Sequence, residues 1–141
     1  MLKTQKRLDY LLSSNPSIIY SCQPISPYKI TFISKNITDL FGYEVQECLE
    51  DPCFWIKHIH PDDRERIFTE IPQLFERSDY SYEFRLLRKN STYRWVYSAG
   101  KLVRDEQGNP LEIIGSWSDI TQRKQIEEAL QGKPALATSN N

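Results

Sequence analysis

Tyr80 to Ile120 reads YSYEFRLLRKNSTYRWVYSAGKLVRDEQGNPLEIIGSWSDI. Three runs inside it, 80–89, 93–105 and 111–120, are rich in aromatic and branched residues and alternate between apolar and polar. That period of two marks strands with one buried face. The runs are joined only by Asn90-Ser91 and by a short segment containing Gly108. Links so short leave no room for a crossover, so the strands run antiparallel. Gly108 is expected to supply the positive φ of the second turn.

Upstream, IIYSCQ at 18–23 and YKITFIS at 28–34 form a first hairpin around PISP. The stretch from 35 to 55 reads as short helical turns broken by Gly42 and Pro52. HPDDRERIFTEIPQLFERS, 60–78, is the one substantial helix, with Ile67, Ile71, Leu74 and Phe75 on one side. Pro61 suits its first turn, and Asp62 and Asp63 suit the positive end of its dipole. Pro72 is expected to kink or interrupt it. The predicted class is α+β, with helices gathered on one face of a five-stranded antiparallel sheet. Helices flank this unit. One at 3–13 carries Leu8, Leu11 and Leu12 and ends before Pro16. The other starts near Thr121 and stops at Gly132 and Pro134, leaving a polar, disordered tail. The expected division is a flanking helix over 1–14, a domain over 15–121, and the start of an outgoing helix with the tail over 122–141.

The 141 residues carry a formal net charge of −1. That suits one modest core and argues against a nucleic-acid surface, which shows a basic excess. No apolar run approaches the roughly 20 residues that span a bilayer, and no signal peptide opens the sequence. Cys22, Cys48 and Cys53 are odd in number and irregularly spaced, which points to reduced thiols in a cytoplasmic protein without membrane contact. No nucleophile, metal cluster or phosphate loop is evident, so the chain by itself is not expected to be an enzyme.

Five phrases, ITDLFGY, IHPDDRE, YEFRLLRKNSTYRWV, RDEQGNPLEIIG and SDITQRK, resemble in order and spacing the PAS domain with its C-terminal PAC segment. The resemblance covers about residues 8–131. It implies a sensory and dimerising module of a larger signalling protein, most often a bacterial histidine kinase of a two-component system. Cyclases, diguanylate cyclases and phosphodiesterases also carry such modules. Many relatives have Asp-Gly where this chain has Asn90-Ser91. Asn tolerates the left-handed region, so the turn is expected to survive. The resemblance also implies that Asp119, Ile120 and Thr121 join the last strand to a helix entering the output domain. Thr121 is a suitable cap for that helix, and Ile126 and Leu130 make a thin seam fit for pairing with a second copy.

The family's register places Phe84, Leu86, Val96, Ser98, Gly100, Leu102, Ile113, Gly115 and Trp117 toward the helices, with Tyr20 and Cys22 joining from the first strand. These are the expected ligand-pocket residues, with Ser98, Gly100 and Gly115 leaving space beside Trp117. Glu83, Arg85, Ser116 and Ser118 fall on the other face with Trp95, Tyr97 and Ile114. The last three make an apolar patch suited to a flanking helix or a second copy. Flavin-binding relatives place amides where Leu86, Val96 and Trp117 stand here, and Cys53 lacks the phrase around their reactive cysteine. Haem-binding relatives place a histidine on the long helix, whereas His58 and His60 precede Pro61. His60 is expected to hydrogen-bond the turn. Neither flavin nor haem is expected.

Two functions compete. In one, a small apolar or weakly polar molecule enters the pocket and shifts the balance of two helix arrangements. In the other, Trp117 and its neighbours fill the pocket, and a ligand-free module promotes dimerisation and transmits strain. An enzyme of similar shape would need an acid or base on the inner face, and none is there.

Overall fold

In the computed structural model, residues 16–132 are described. The strands are β1 Ile18–Cys22, β2 Ile30–Ile33, β3 Asp79–Leu87, β4 Tyr93–Arg104 and β5 Pro110–Asp119. The helices are α1 Ile37–Phe41, α2 Val45–Glu50, α3 Phe54–His58, α4 Pro61–Arg77 and α5 Thr121–Leu130. The five strands form one antiparallel sheet in the order β2-β1-β5-β4-β3. The last strand in sequence is thus the central one.

Alternation produces the core. Tyr20, Phe84, Leu86, Val96, Ile113 and Trp117 turn inward and are buried. Ile37, Phe41, Phe54, Ile67, Ile71 and Leu74 meet them from the helices. α4 begins as its sequence requires. Pro61 is its first residue, and His60 Nδ1 accepts the Asp62 N–H at 3.0 Å. Pro72 does not interrupt the helix, which runs unbroken to Arg77. Pro72 sits on the exposed side, so the carbonyl that loses a donor there faces water rather than the core.

The β3–β4 turn holds with different chemistry from that expected. Ser91, not Asn90, takes the positive φ, at 70°. The Asn90 side chain instead accepts the Thr92 N–H at 3.1 Å and the Thr92 hydroxyl at 2.6 Å. Gly108 carries φ 86° as expected. Leu8, Leu11, Leu12 and the helix expected around them lie outside the described residues, as does the tail beyond Gly132.

A tyrosine-lined cavity and the joint to the last helix

A cavity of about 20 Å3 lies between the sheet and α3–α4, large enough for about one water-sized molecule. Tyr20, Cys22, Ile113 and Trp117 belong to its wall, as the inward register predicted. Ile30 and Tyr28 close it from the β1–β2 side, Trp55 from α3, and Ile71 and Leu74 from α4. Tyr80 and Tyr82 complete it from β3. The same alternation that picks out Phe84 and Leu86 reaches both tyrosines, so they were available to sequence reasoning and were missed. Tyr28, Trp55, Ile71 and Leu74 carry no such strand signal, because loop and helix packing brings them in.

The other predicted pocket residues are core but do not line the cavity. Phe84, Leu86, Val96, Ser98 and Leu102 are buried beside it. Gly100 and Gly115 leave no free space either. A methyl group on Gly100 would meet the Tyr80 phenol at 2.8 Å, and one on Gly115 would meet the Tyr20 hydroxyl at 2.9 Å. The two glycines exist under the two phenols, which occupy the room that the sequence left beside Trp117. Bulky rings from neighbouring strands fill a gap that strand composition alone leaves open.

The polar groups here are neutral. The Tyr20 and Tyr80 hydroxyls bond each other, and Ser98 Oγ lies 3.3 Å from that of Tyr20. Burial pushes Tyr20 well above the usual tyrosine range, and Tyr80 and Tyr82 are also raised by burial. The Cys22 thiol is pushed up to about 12 by burial, with Glu112 adding to it. Trp117 is 2% exposed, and its indole Nε1 is buried without an acceptor.

The strand that carries Trp117 runs directly into the joint. Asp119 accepts Arg94 Nε at 2.8 Å through one carboxylate oxygen and the Thr121 N–H at 2.9 Å through the other. Burial alone would raise the Asp119 carboxyl, but these hydrogen bonds outweigh it and hold the group below its ordinary range. Ile120 donates its N–H to the Trp95 carbonyl at 2.9 Å. Thr121 is not the cap expected of it. It is the first helical residue of α5, 3% exposed, and its hydroxyl accepts the Trp95 N–H at 2.8 Å. Ile120 takes the cap position with no side-chain bond. As the first helical residue rather than the one before it, Thr121 turns its hydroxyl to β4 instead of to the free amides of its own helix.

α5 is held to the sheet by charge rather than by its apolar seam. Lys124 Nζ bonds Glu83 Oε1 at 3.1 Å and sits 4.5 Å from the centre of the Trp95 ring, and Arg123 pairs with the same Glu83. Burial would raise Glu83, yet Lys124 and Arg123 lower it below the usual glutamate range. Trp95 is therefore half covered by the protein's own outgoing helix, whereas Tyr97 stays half-buried and Ile114 exposed. Ile126 and Leu130 are exposed.

One further residue differs from its sequence reading. Asp63 does more than favour the α4 dipole. It is buried and receives the Arg85 N–H at 2.8 Å and the Arg85 guanidinium at 2.9 and 3.1 Å. Burial opposes its charge, but Arg85 holds the carboxyl below its ordinary range. His58 is off the long helix, as its place before Pro61 implied: it ends α3, with Nδ1 2.6 Å from the Phe54 carbonyl. Among the described residues, no group of three His, Cys, Asp or Glu side chains is placed to hold a metal.

Comparison with known proteins agrees with this geometry. The chain is 30% identical over 118 residues to the two-component sensor PprA of Pseudomonas aeruginosa, covering 83% of this chain and 13% of that protein. It is 30% identical over 131 residues to a methyl sulfide methyltransferase-associated sensor of Methanosarcina acetivorans, covering 92% of this chain and again 13% of the relative. The chain thus spans a small part of the curated relatives it matches. A sensory box histidine kinase/response regulator from Burkholderia thailandensis superposes with TM-score 0.67 at 27% identity, covering 89% of this chain and 92% of that one. A PAS domain from Colwellia psychrerythraea gives TM-score 0.71 at 21% identity, with 86% and 100% covered, a likeness of fold. Residues 30–117 match the family model of the PAS fold, and the chain belongs to that family of sensory domains.

Proposed function

We propose that this chain is the sensory segment of a two-component histidine kinase, in which a change at the cavity wall passes along β5 into α5 and on to a downstream output domain. The observation that carries the reading is the continuity of one strand. Trp117 forms the cavity wall, Asp119 is anchored by Arg94, and Thr121 is stitched to Trp95. A displacement of the indole therefore reaches the start of α5 within four residues. A ligand acts through this path only if it binds one arrangement of α5 better than the other.

The domain works in the cytoplasm as a homodimer, with Ile126 and Leu130 as the contact seam and Tyr97 and Ile114 as a second apolar surface. Its partners are its own output domain and a second copy, without nucleic acid or membrane. No helix among the described residues is long and apolar enough to cross a membrane. The whole protein is the signalling enzyme, and this segment contributes no catalytic group. Leu86, Val96 and Trp117 fill the inner strands with side chains that offer no amide to a flavin. His60 is committed to the α4 cap, so neither flavin nor haem enters this reading. The domain boundaries follow it, with a flanking helix over 1–14, the sensor over 15–121 and a signalling helix from 122.

The test is autophosphorylation of the full-length kinase carrying Asp119→Asn or Arg94→Gln. Output should change several-fold while the isolated domain keeps its fold. Output equal to wild type in both variants refutes the path.

A second reading rests on the size of the cavity. At about 20 Å3 the site is nearly filled by its own side chains. In that case a ligand-free module dimerises and transmits strain, in a cyclase, diguanylate cyclase or phosphodiesterase. Native mass spectrometry separates the two by showing a bound small molecule or none.

A further inference from the structure

We propose that Asp63 is a positioning residue for the outgoing helix: by holding Arg85 it keeps Glu83 free for Lys124 and Arg123, and a shift at the start of α4 lets Arg85 take Glu83 and release α5. This deepens the sensory reading above and rests on it, adding α4 as a second route to α5 beside β5. The helix has little else to hold it. α5 is ten residues long, and a helix that short is marginal in water unless something packs against it. Ile126 and Leu130 are exposed, and the buried residue of α5 is Thr121, at its very start. Beyond Thr121, the sheet is reached by Lys124 and Arg123 on Glu83, with Lys124 also over the Trp95 ring.

Glu83 has another cation within reach. Arg85 stands two residues along β3, so alternation puts both side chains on the outer face, about 7 Å apart along the strand. Arg85 is also the register partner of Trp95, and its guanidinium lies 5.2 Å from the centre of the ring that Lys124 covers. What keeps Arg85 from Glu83 is Asp63. The Asp63 carboxylate accepts the Arg85 N–H at 2.8 Å and the guanidinium at 2.9 and 3.1 Å, so the planar fork is spent on it. Asp63 is 4% exposed, which shields the pairing from water and salt. Arg66, 3.6 Å from Asp63, donates to the Glu83 backbone carbonyl at 2.6 Å and leaves the Glu83 carboxylate to others.

Two cations thus meet one ring, and each has its own carboxylate, Asp63 for Arg85 and Glu83 for Lys124. Loss of the first pairing leaves one carboxylate for both. Arg85 has the advantage there, because it already stands on β3, whereas Lys124 reaches Glu83 only while α5 stays ordered. The input lies on the same helix as Asp63. Ile71 and Leu74, farther along α4, belong to the cavity wall, so a displacement of α4 there reaches the Asp63 end of one rigid element.

The experiment is hydrogen exchange on the amides of residues 124–130 in the full chain. Asp63→Asn alters a carboxylate bonded to β3, not to α5, yet it should speed exchange there about five- to thirtyfold, the worth of one to two exposed ion pairs. Amides in the middle of β4 and β5 should be unchanged. Asp63→Asn/Arg85→Gln should restore the wild-type rates, because the competing cation is gone. Glu83→Gln should loosen α5 by itself, and adding Asp63→Asn to it should change nothing more. Should Asp63→Asn fail to fold, Arg85→Gln alone decides. Exchange in α5 stays at the wild-type rate if Arg85 is a held competitor, and faster exchange shows Arg85 to be a brace for Trp95 and overturns the assignment. Wild-type exchange in Asp63→Asn, or no rescue in the double variant, overturns it as well. If kinase output responds to Asp119→Asn or Arg94→Gln while α5 ignores Asp63→Asn, the exchange of partners fails and the sensory reading survives. If output ignores both of those variants, the sensory reading itself fails, whatever α5 does.

Discussion

Thr121→Val isolates the hydrogen bond that fastens the outgoing helix to the sheet. Valine has nearly the shape of threonine, so packing at this 3% exposed site is preserved and only the hydroxyl is lost. The wild-type hydroxyl accepts the Trp95 N–H at 2.8 Å. Without it, a part-buried backbone donor has no acceptor, which costs about 1–3 kcal/mol. Each factor of ten corresponds to about 1.4 kcal/mol, so local opening at the joint should become between about fivefold and about 150-fold more frequent. Native-state hydrogen exchange reads this directly. The Trp95 amide should exchange faster by that factor, with Ile120 following because it donates to the Trp95 carbonyl. Amides in the middle of β3 should be unchanged. Thr121→Ser keeps the hydroxyl and should stay close to wild type at the same amide. Had Thr121 been a helix cap, the loss would fall on the first turn of α5 and spare Trp95. Unchanged Trp95 exchange in Thr121→Val, or equal acceleration in Thr121→Ser, refutes the stitch.

Gly100→Ala places a methyl group 2.7 Å from the Ile114 carbonyl and 2.8 Å from the Tyr80 ring. It should lower stability by about 1–3 kcal/mol in urea unfolding, since a backbone carbonyl does not yield as a flexible side chain would. Burial, and then the charge of Arg85, lowers the His60 pKa from 6.5. The neutral form is therefore the stabilising one, and its contribution is present above pH 6.5 and lost as pH falls below it. His60→Asn keeps a capping oxygen without a titrating ring, so urea midpoints of wild type should drop more than those of the variant between about pH 7 and about pH 5. Ile126→Asp puts a charge on the exposed seam of α5, and sedimentation should show weaker self-association; equal association in wild type and variant removes this seam as the contact. The purified protein should show no flavin or haem band in its visible spectrum.

Strand identity was legible in the sequence because it depends on neighbours in the chain. Alternation between Tyr80 and Ile120 separates the two faces of the sheet, and Phe84, Val96 and Trp117 are buried as that period requires. Gly108 marks its turn, and Gly42 ends α1 in the left-handed conformation at φ 88°, both from local backbone preference. Tertiary structure decided whatever depends on which strands meet. Placing β5 at the centre of the sheet puts Trp117 beside Tyr20 and brings Thr121 to Trp95, 26 residues away in sequence. Threonine at a helix start reads locally as a cap, but a strand amide within reach wins its hydroxyl. Asp63 reads as a dipole partner until β3 carries Arg85 alongside it, 22 residues later. Gly100 and Gly115 read as open space until the tyrosines of β1 and β3 fold over them. Periodicity and propensity act over a few residues, whereas strand order and the partners of buried polar groups are set only when distant segments close on one core.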